Sequence, residues 1–120
     1  MNEKRKHSRV DSIYLLNYVN LDEDNQELMQ GMGRTINVSE SGIMLETHVE
    51  LKENAMVDVV VGLKEDMVPI RGKVVFTRST ETGRSQSGIE FSAIDAPALE
   101  TLRRYIEAFN SLASDTDPPA

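Results

Sequence analysis

The chain has 120 residues, of which 39% are hydrophobic and 28% are charged, a composition typical of one soluble globular domain. It contains no cysteine, which excludes disulfides, thiolate metal sites and a cysteine nucleophile. No apolar run is long enough to cross a bilayer, and no signal-peptide core follows the basic start, so the sequence predicts a cytoplasmic protein without membrane insertion.

The formal net charge of −7 is unevenly distributed along the chain. Four basic residues (Lys4, Arg5, Lys6 and Arg9) outweigh Glu3, so the first ten residues carry +3 and the remainder carries −10. Binding to a nucleic-acid strand depends on many phosphate contacts, which an acidic body opposes. The distribution disfavours nucleic acid as a partner and favours a compact anion held by the basic segment.

The first half of the chain predicts a polar arm followed by strands. Residues 1–11 are polar and basic without an apolar face, which indicates a flexible arm that only a partner would order. An apolar and aromatic run predicts a first strand over 12–19, and residues 20–30 are interpreted as an acidic connection. Asp22 and Asp24 resemble a calcium loop, but the required glycine and bidentate glutamate are missing, so no metal is predicted.

Five more short strands follow, separated by turn residues. Pro69 places the start of one of them at a sheet edge. Six strands in succession predict a mainly all-β domain over residues 12–94, an antiparallel barrel or sandwich. The five predicted ranges are 32–38, 42–47, 56–63, 68–78 and 86–91.

The hydrophobic period changes after Ile94. Asp95 is a suitable N-cap, and apolar residues then recur at helical spacing, which predicts a helix over 95–114 and a disordered tail over 115–120. The apolar stripe consists of Leu99, Leu102, Ile106, Phe109 and Ala113. We expect it to pack on the barrel, although it could also serve a dimer contact, so a monomer and a weak dimer both remain open.

Two polar motifs stand out from this background. Arg5 and Arg9 form an RxxxR pair, and guanidinium groups bind phosphate oxygens in a bidentate manner and stack on purines. Asn37, Ser39 and Gly42 form an NxSxxG turn, in which the glycine permits a positive φ and the short polar side chains can cap the turn or face a ligand. Each motif alone is also compatible with a solvated tail or a simple connecting turn.

Together and in this order, the two motifs resemble the signature of the PilZ domain family, RxxxR before the first strand and [DN]xSxxG between the second and third. The similarity continues through 70–75 and 88–91 and ends with the helix after Ile94. The resemblance implies a single-domain, six-stranded antiparallel β-barrel with a C-terminal α-helix and a flexible N-terminal arm. It also implies a receptor for the second messenger cyclic di-GMP, without catalytic activity or cofactor.

The resemblance also assigns site residues. Arg5 and Arg9 match the arginines that hold phosphate and guanine, while Asn37, Ser39 and Gly42 match the turn that contacts the nucleotide. Asparagine at position 37 keeps a hydrogen-bond acceptor but lacks the charge of aspartate, which predicts weaker pairing with guanine. Further ligand-binding candidates are Lys4, Lys6 and Arg78, the last near a position where some relatives stack on a base.

The resemblance favours an adaptor whose arm folds over cyclic di-GMP and changes the surface offered to an unidentified downstream protein. An alternative is a nucleotide-independent protein-interaction module on the same barrel. An enzyme is disfavoured, since the serine-rich segment 83–88 misses the GxSxG spacing by one residue. A small RNA-binding barrel is disfavoured by the acidic body and the absence of paired aromatic residues on adjacent strands.

Overall fold

Six antiparallel strands form one closed barrel, as the sequence predicted. The structure is a computed structural model that describes residues 13–63 and 65–116. The strands follow the order β1-β2-β3-β6-β5-β4, and pairing between β1 and β4 closes the barrel. Their bounds are β1 (Leu15–Leu21), β2 (Glu27–Val38), β3 (Gly42–Thr47), β4 (Met56–Leu63), β5 (Asp66–Ser79) and β6 (Ser85–Phe91).

Alternating side chains fill the interior of the barrel, because successive residues of a strand point to opposite faces. On β4, Val57, Val59 and Val61 are fully buried. On β1, the ring of Tyr18 lies against Gly31 of the paired β2, where an added Cβ would be 2.7 Å from the tyrosine oxygen. Burial raises the pKa of Tyr18.

The hairpin of β1 and β2 is longer than predicted. The expected connection over 20–30 was too long, because β1 continues to Leu21 and β2 begins at Glu27. Asp22 closes the short turn between them by accepting hydrogen bonds from the backbone N–H groups of Asp24 and Gln26, both at 2.8 Å. The acidic residues of segment 20–30 therefore lie in a short turn and on a solvent-exposed strand face. The predicted strand start at residue 12 was also too early, since positions 13–14 are helical.

A single long helix, α1 (Ala96–Thr116), follows the barrel. The carboxylate of Asp95 caps it by accepting a hydrogen bond from Ala98 N–H at 2.9 Å. The helix continues two residues beyond the predicted boundary at 114, while the arm, residues 1–11, and residues 117–120 lie outside the described residues. In the described part of the chain, no helix combines the length and apolar character that a membrane crossing requires.

Helix α1 packs on the barrel through buried Leu102, Tyr105 and Phe109. Tyr105, which the predicted apolar stripe did not include, donates its hydroxyl proton to the Ile13 carbonyl and accepts a hydrogen bond from Thr35 Oγ1 at 2.8 Å. Burial raises the pKa of Tyr105 to about 12. This one hydroxyl therefore joins the helix, the beginning of the described chain and β2.

Replacing Tyr105 with phenylalanine should destabilise the domain at neutral pH by about 1–3 kcal/mol, because Ile13 and Thr35 lose a buried hydrogen-bond partner. Because folding raises the pKa of Tyr105, the protonated hydroxyl stabilises the folded state. This stabilisation is complete below the ordinary tyrosine pKa near 10 and is lost as pH rises to about 12. Urea unfolding at pH 7, 10 and 12 should show a shallower decline above pH 10 for Tyr105→Phe than for the parent. Parallel declines would contradict this role.

Candidate functional site

The NxSxxG motif forms a tight bend, residues 37–42, at the junction of β2 and β3. The N–H of Ser39 donates to the Gly42 carbonyl at 2.8 Å, and the N–H of Ser41 donates to Ser39 Oγ at 3.2 Å. The two serine hydroxyls lie 3.0 Å apart. The sequence thus folds locally into a bend that holds two hydroxyl groups side by side.

Gly42 is needed for close approach between strands. Gly42 does not use the positive φ that a glycine permits, because Gly62 and Gly83 are the glycines with positive φ among the described residues. An added Cβ at Gly42 would lie 2.4 Å from the carbonyl oxygen of Ile89 on β6. The N–H of Phe91 also donates to the Ser41 carbonyl at 2.9 Å, so the bend is held tightly against β6.

Four residues form a row across the outer face of the barrel beside the bend: Asn37 on β2, Met44 on β3, Gly88 on β6 and Phe76 on β5. Bulges in β2 and β5 interrupt the regular pairing immediately before Asn37 and Phe76. The Phe76 ring lies directly over Gly88, where an added Cβ would be 2.2 Å from the ring. Phe76 is nevertheless 37% exposed. This row therefore places the side-chain amide of Asn37 on the same surface as the accessible ring of Phe76.

The bend and this row enclose a depression of about 260 Å³. Three of the predicted site residues, Asn37, Ser39 and Gly42, line it together with Ser41. Its other walls are Ile43, Met44, Val75, Phe76, Gly88, Ile89 and Glu90. The structure therefore brings the predicted bend residues together, while Lys4, Arg5, Lys6 and Arg9 lie outside the described residues.

A charged row lies next to the depression on the same outer face. Its members are Arg34, Glu46, Gln86 and Arg78 on neighbouring strands. Arg78 donates two hydrogen bonds to Gln86 Oε1, at 3.1 and 2.8 Å, and Gln86 donates to Glu46 at 3.2 Å. The hydrogen bond from Gln86, supported by Arg84, lowers the pKa of Glu46. Arg78 is absent from the lining of the depression.

Sequence reasoning missed Phe76, Met44 and Gly88 as components of the site. They come from three different strands, and the strand register alone brings them together. The available signal was Gly88, a glycine inside an otherwise regular strand, which indicates close approach of another group. The identity of that group could not be predicted from the sequence.

A second cavity of about 330 Å³ lies where β4 and β5 meet the beginning of α1. Asp58 and Arg71 line it and form an ion pair through two hydrogen bonds, at 2.9 and 3.2 Å. The bond to Asp58 raises the pKa of Arg71. The Arg71 guanidinium in this second cavity is therefore already engaged by a carboxylate.

Comparisons with known proteins agree with the observed barrel. A family model described as "PilZ domain" matches residues 3–108. A comparison with curated proteins gave no significant match. The fold is similar to the PilZ domain of YcgR from Escherichia coli with c-di-GMP, at 12% identity and a TM-score of 0.63, covering 86% of this chain and 89% of that chain.

Two further structures have the same fold. Apo MrkH from K. pneumonia has 12% identity and a TM-score of 0.59, with 85% of this chain covered but only 47% of MrkH. The PilZ domain of CeSA from a cellulose-synthesizing bacterium has 12% identity and a TM-score of 0.55, with coverages of 80% and 93%. At such low identity, these similarities establish the fold.

Proposed function

This chain belongs to the PilZ domain family, and on that premise we propose that it is a non-enzymatic receptor for cyclic di-GMP. The observation that carries the proposal is the depression, in which the family motif and an exposed aromatic ring share one surface. The similar YcgR domain is described with c-di-GMP.

The chemistry of the depression suits a purine nucleotide. Asn37, Ser39 and Ser41 offer hydrogen-bond donors and acceptors for a guanine edge or for phosphate oxygens. Phe76 and Met44 provide an apolar surface, and stacking of a base on an aromatic side chain contributes about 1–3 kcal/mol. We propose that one guanine lies over Phe76 while the bend contacts its edge or the adjacent phosphate.

The arginines of the arm would complete the site. Tyr105 links the Ile13 carbonyl to Thr35, which is two residues before Asn37, so the described chain begins close to this part of β2. The four residue steps from Ile13 back to Arg9 span up to about 14 Å when extended. We propose that Arg9 reaches the bend along this path and that Arg5 and Arg9 close over the nucleotide from this side.

Ligand binding would change the outer surface of the protein. The arm would cover the depression and present new side chains to a downstream protein, which is how an adaptor without catalytic activity transmits a signal. Lys4 and Lys6 would add positive charge near the phosphates, and Arg78 would lie two residues beyond Phe76 on the same strand face.

Calorimetric titration of the purified protein with cyclic di-GMP tests the proposal. We expect saturable binding without hydrolysis of the ligand, and much weaker binding of GMP, which lacks the second guanine and the ring of two phosphodiesters. Absence of binding would favour the nucleotide-independent interaction module. Turnover of the cyclic dinucleotide would show that the protein is an enzyme.

Substitution of Phe76 by alanine should weaken cyclic di-GMP binding about tenfold, because one base loses its stacking surface. The side chain is partly exposed, so the barrel should remain folded. Leu28→Ala is the matched control, since Leu28 is an exposed apolar strand residue that does not line the depression. Equal affinity of Phe76→Ala and the parent in calorimetry would remove Phe76 from the site.

A further inference from the structure

The bend contacts both the depression and helix α1. Ser39 and Ser41 line the depression, whereas Glu40 between them does not. The carboxylate of Glu40 instead accepts two hydrogen bonds from Arg103 of α1, from Nε at 3.2 Å and from a terminal nitrogen at 3.3 Å. The helix therefore contacts the bend through a side chain that does not line the depression.

A second hydrogen bond connects α1 to β2 on the other side of Asn37 in sequence. Tyr105, two residues after Arg103, bonds to Thr35, two residues before Asn37. Arg103 and Tyr105 thus fix the two flanks of Asn37, one through the bend and one through the strand. The bidentate geometry adds orientation to the contact with Glu40, because both carboxylate oxygens are engaged.

We propose that Arg103 is a positioning residue for nucleotide binding, which acts by fixing Glu40 and with it the bend. This inference rests on the proposed function. A bend already held in its binding geometry avoids an ordering cost when the ligand arrives, which increases affinity. The guanidinium also neutralises a carboxylate that would otherwise repel a doubly charged ligand nearby.

The coupling is reciprocal. If the Arg103 contact improves nucleotide binding, bound nucleotide must strengthen the contact by the same factor. Helix α1 then senses whether the depression is occupied, through a side chain that never touches the ligand. The exposed face of α1 around Arg103 becomes a second surface, besides the arm, that changes with ligand.

Arg104 provides a matched control on the same helix. Its hydrogen bonds go to Glu100 at 3.1 Å and to Asp66 at 3.4 Å, not to the bend. Its side chain is 55% exposed, close to the 60% of Arg103. Arg104→Ala therefore removes the same charge from the same helix and leaves Glu40 paired.

The first measurement needs no ligand. Hydrogen exchange of the bend amides, residues 39–42, should be faster in Arg103→Ala than in the parent or in Arg104→Ala. Thermal unfolding should shift equally little in both variants. Unchanged exchange in the bend would overturn the positioning role, whether or not the protein binds cyclic di-GMP.

The second measurement is a double-mutant cycle with cyclic di-GMP. We expect Arg103→Ala and Glu40→Ala each to weaken binding about two- to fivefold, the range of coupling that exposed ion pairs show, and the double variant to be no weaker than either. Arg104→Ala should bind like the parent. Weakening by Glu40→Ala is diagnostic, because loss of an acidic charge alone would strengthen anion binding.

The results of these experiments distinguish the positioning role of Arg103 from the receptor function of the protein. If the parent binds but Arg103→Ala binds equally well, or if Arg104→Ala is equally weakened, the positioning role is wrong while the receptor function stands. If the two single effects add in the double variant, the residues do not act as a pair. If the parent does not bind, the proposed function itself fails, and the inference about nucleotide affinity fails with it.

Discussion

Alanine at Arg5 or at Arg9 should abolish measurable binding of cyclic di-GMP and leave the barrel folded. Ordering residues 4–9 costs about 1–2 kcal/mol per residue, or about 6–12 kcal/mol for a previously free segment. Two arginines that each make two charge-assisted hydrogen bonds contribute a favourable free energy of similar size, at ~1.5–3 kcal/mol per bond. The free energy of the proposed arm closure would then be close to zero, so we expect that neither arginine is dispensable.

Loss of one guanidinium should remove about 3–6 kcal/mol of binding free energy, which corresponds to roughly a hundredfold to ten-thousandfold loss of affinity. Calorimetry on both variants measures this effect, and thermal unfolding confirms that the domain is intact. Arg5→Lys and Arg9→Lys preserve the charge but not the bidentate geometry, so they should also bind poorly. Arg104→Ala controls for net charge. Near-native affinity in both alanine variants would show that the arm does not hold the ligand.

Gly42→Ala should disrupt both the bend and ligand binding. Its new Cβ would lie 2.4 Å from the carbonyl oxygen of Ile89, a backbone atom, so β3 and β6 must move apart. Overpacking of this kind costs about 1–3 kcal/mol of stability. The displacement would also move Ser39 and Ser41, so we expect affinity for cyclic di-GMP to fall at least about tenfold.

Gly83→Ala separates the loss of stability from the loss of the site. An added Cβ at Gly83 meets no atom within 4 Å, but the residue has a φ of 85°. Alanine there should cost about 1 kcal/mol through backbone strain and leave binding unchanged. Calorimetry and urea unfolding on both glycine variants make the comparison. Unchanged affinity in Gly42→Ala would contradict a ligand role for the bend.

The architecture of the domain was predictable because periodicity is a local property. Alternating apolar residues predicted the six strands, and the change of period after Ile94 predicted the helix capped by Asp95. The extent of the first hairpin was predicted wrongly because acidic residues and glycines lower strand propensity. In the structure the acidic residues lie on a solvated face, and a glycine contacts Tyr18. Tertiary pairing overrides propensity at such positions.

The site was predictable only where it is continuous in sequence. Residues 37–42 form the expected bend, and close contact with β6, not a positive φ, requires glycine at position 42. Phe76 reaches the outer face through a bulge after Val74, which shifts the alternation of side chains. The pairing of Glu40 with Arg103 joins residues 63 positions apart. Register, bulges and helix placement are not encoded in any single segment.

Mapping cyclic di-GMP onto the protein by amide chemical shifts tests the central claim most directly. On titration, the account predicts the largest shifts at Ser39, Ser41, Gly42 and Gly88, which line the depression, with appearance or shift of arm amides at the same ligand ratio. Amides around the second cavity, at Asp58 and Arg71, should not move. Shifts confined to that second cavity, or none at the bend, would contradict the account.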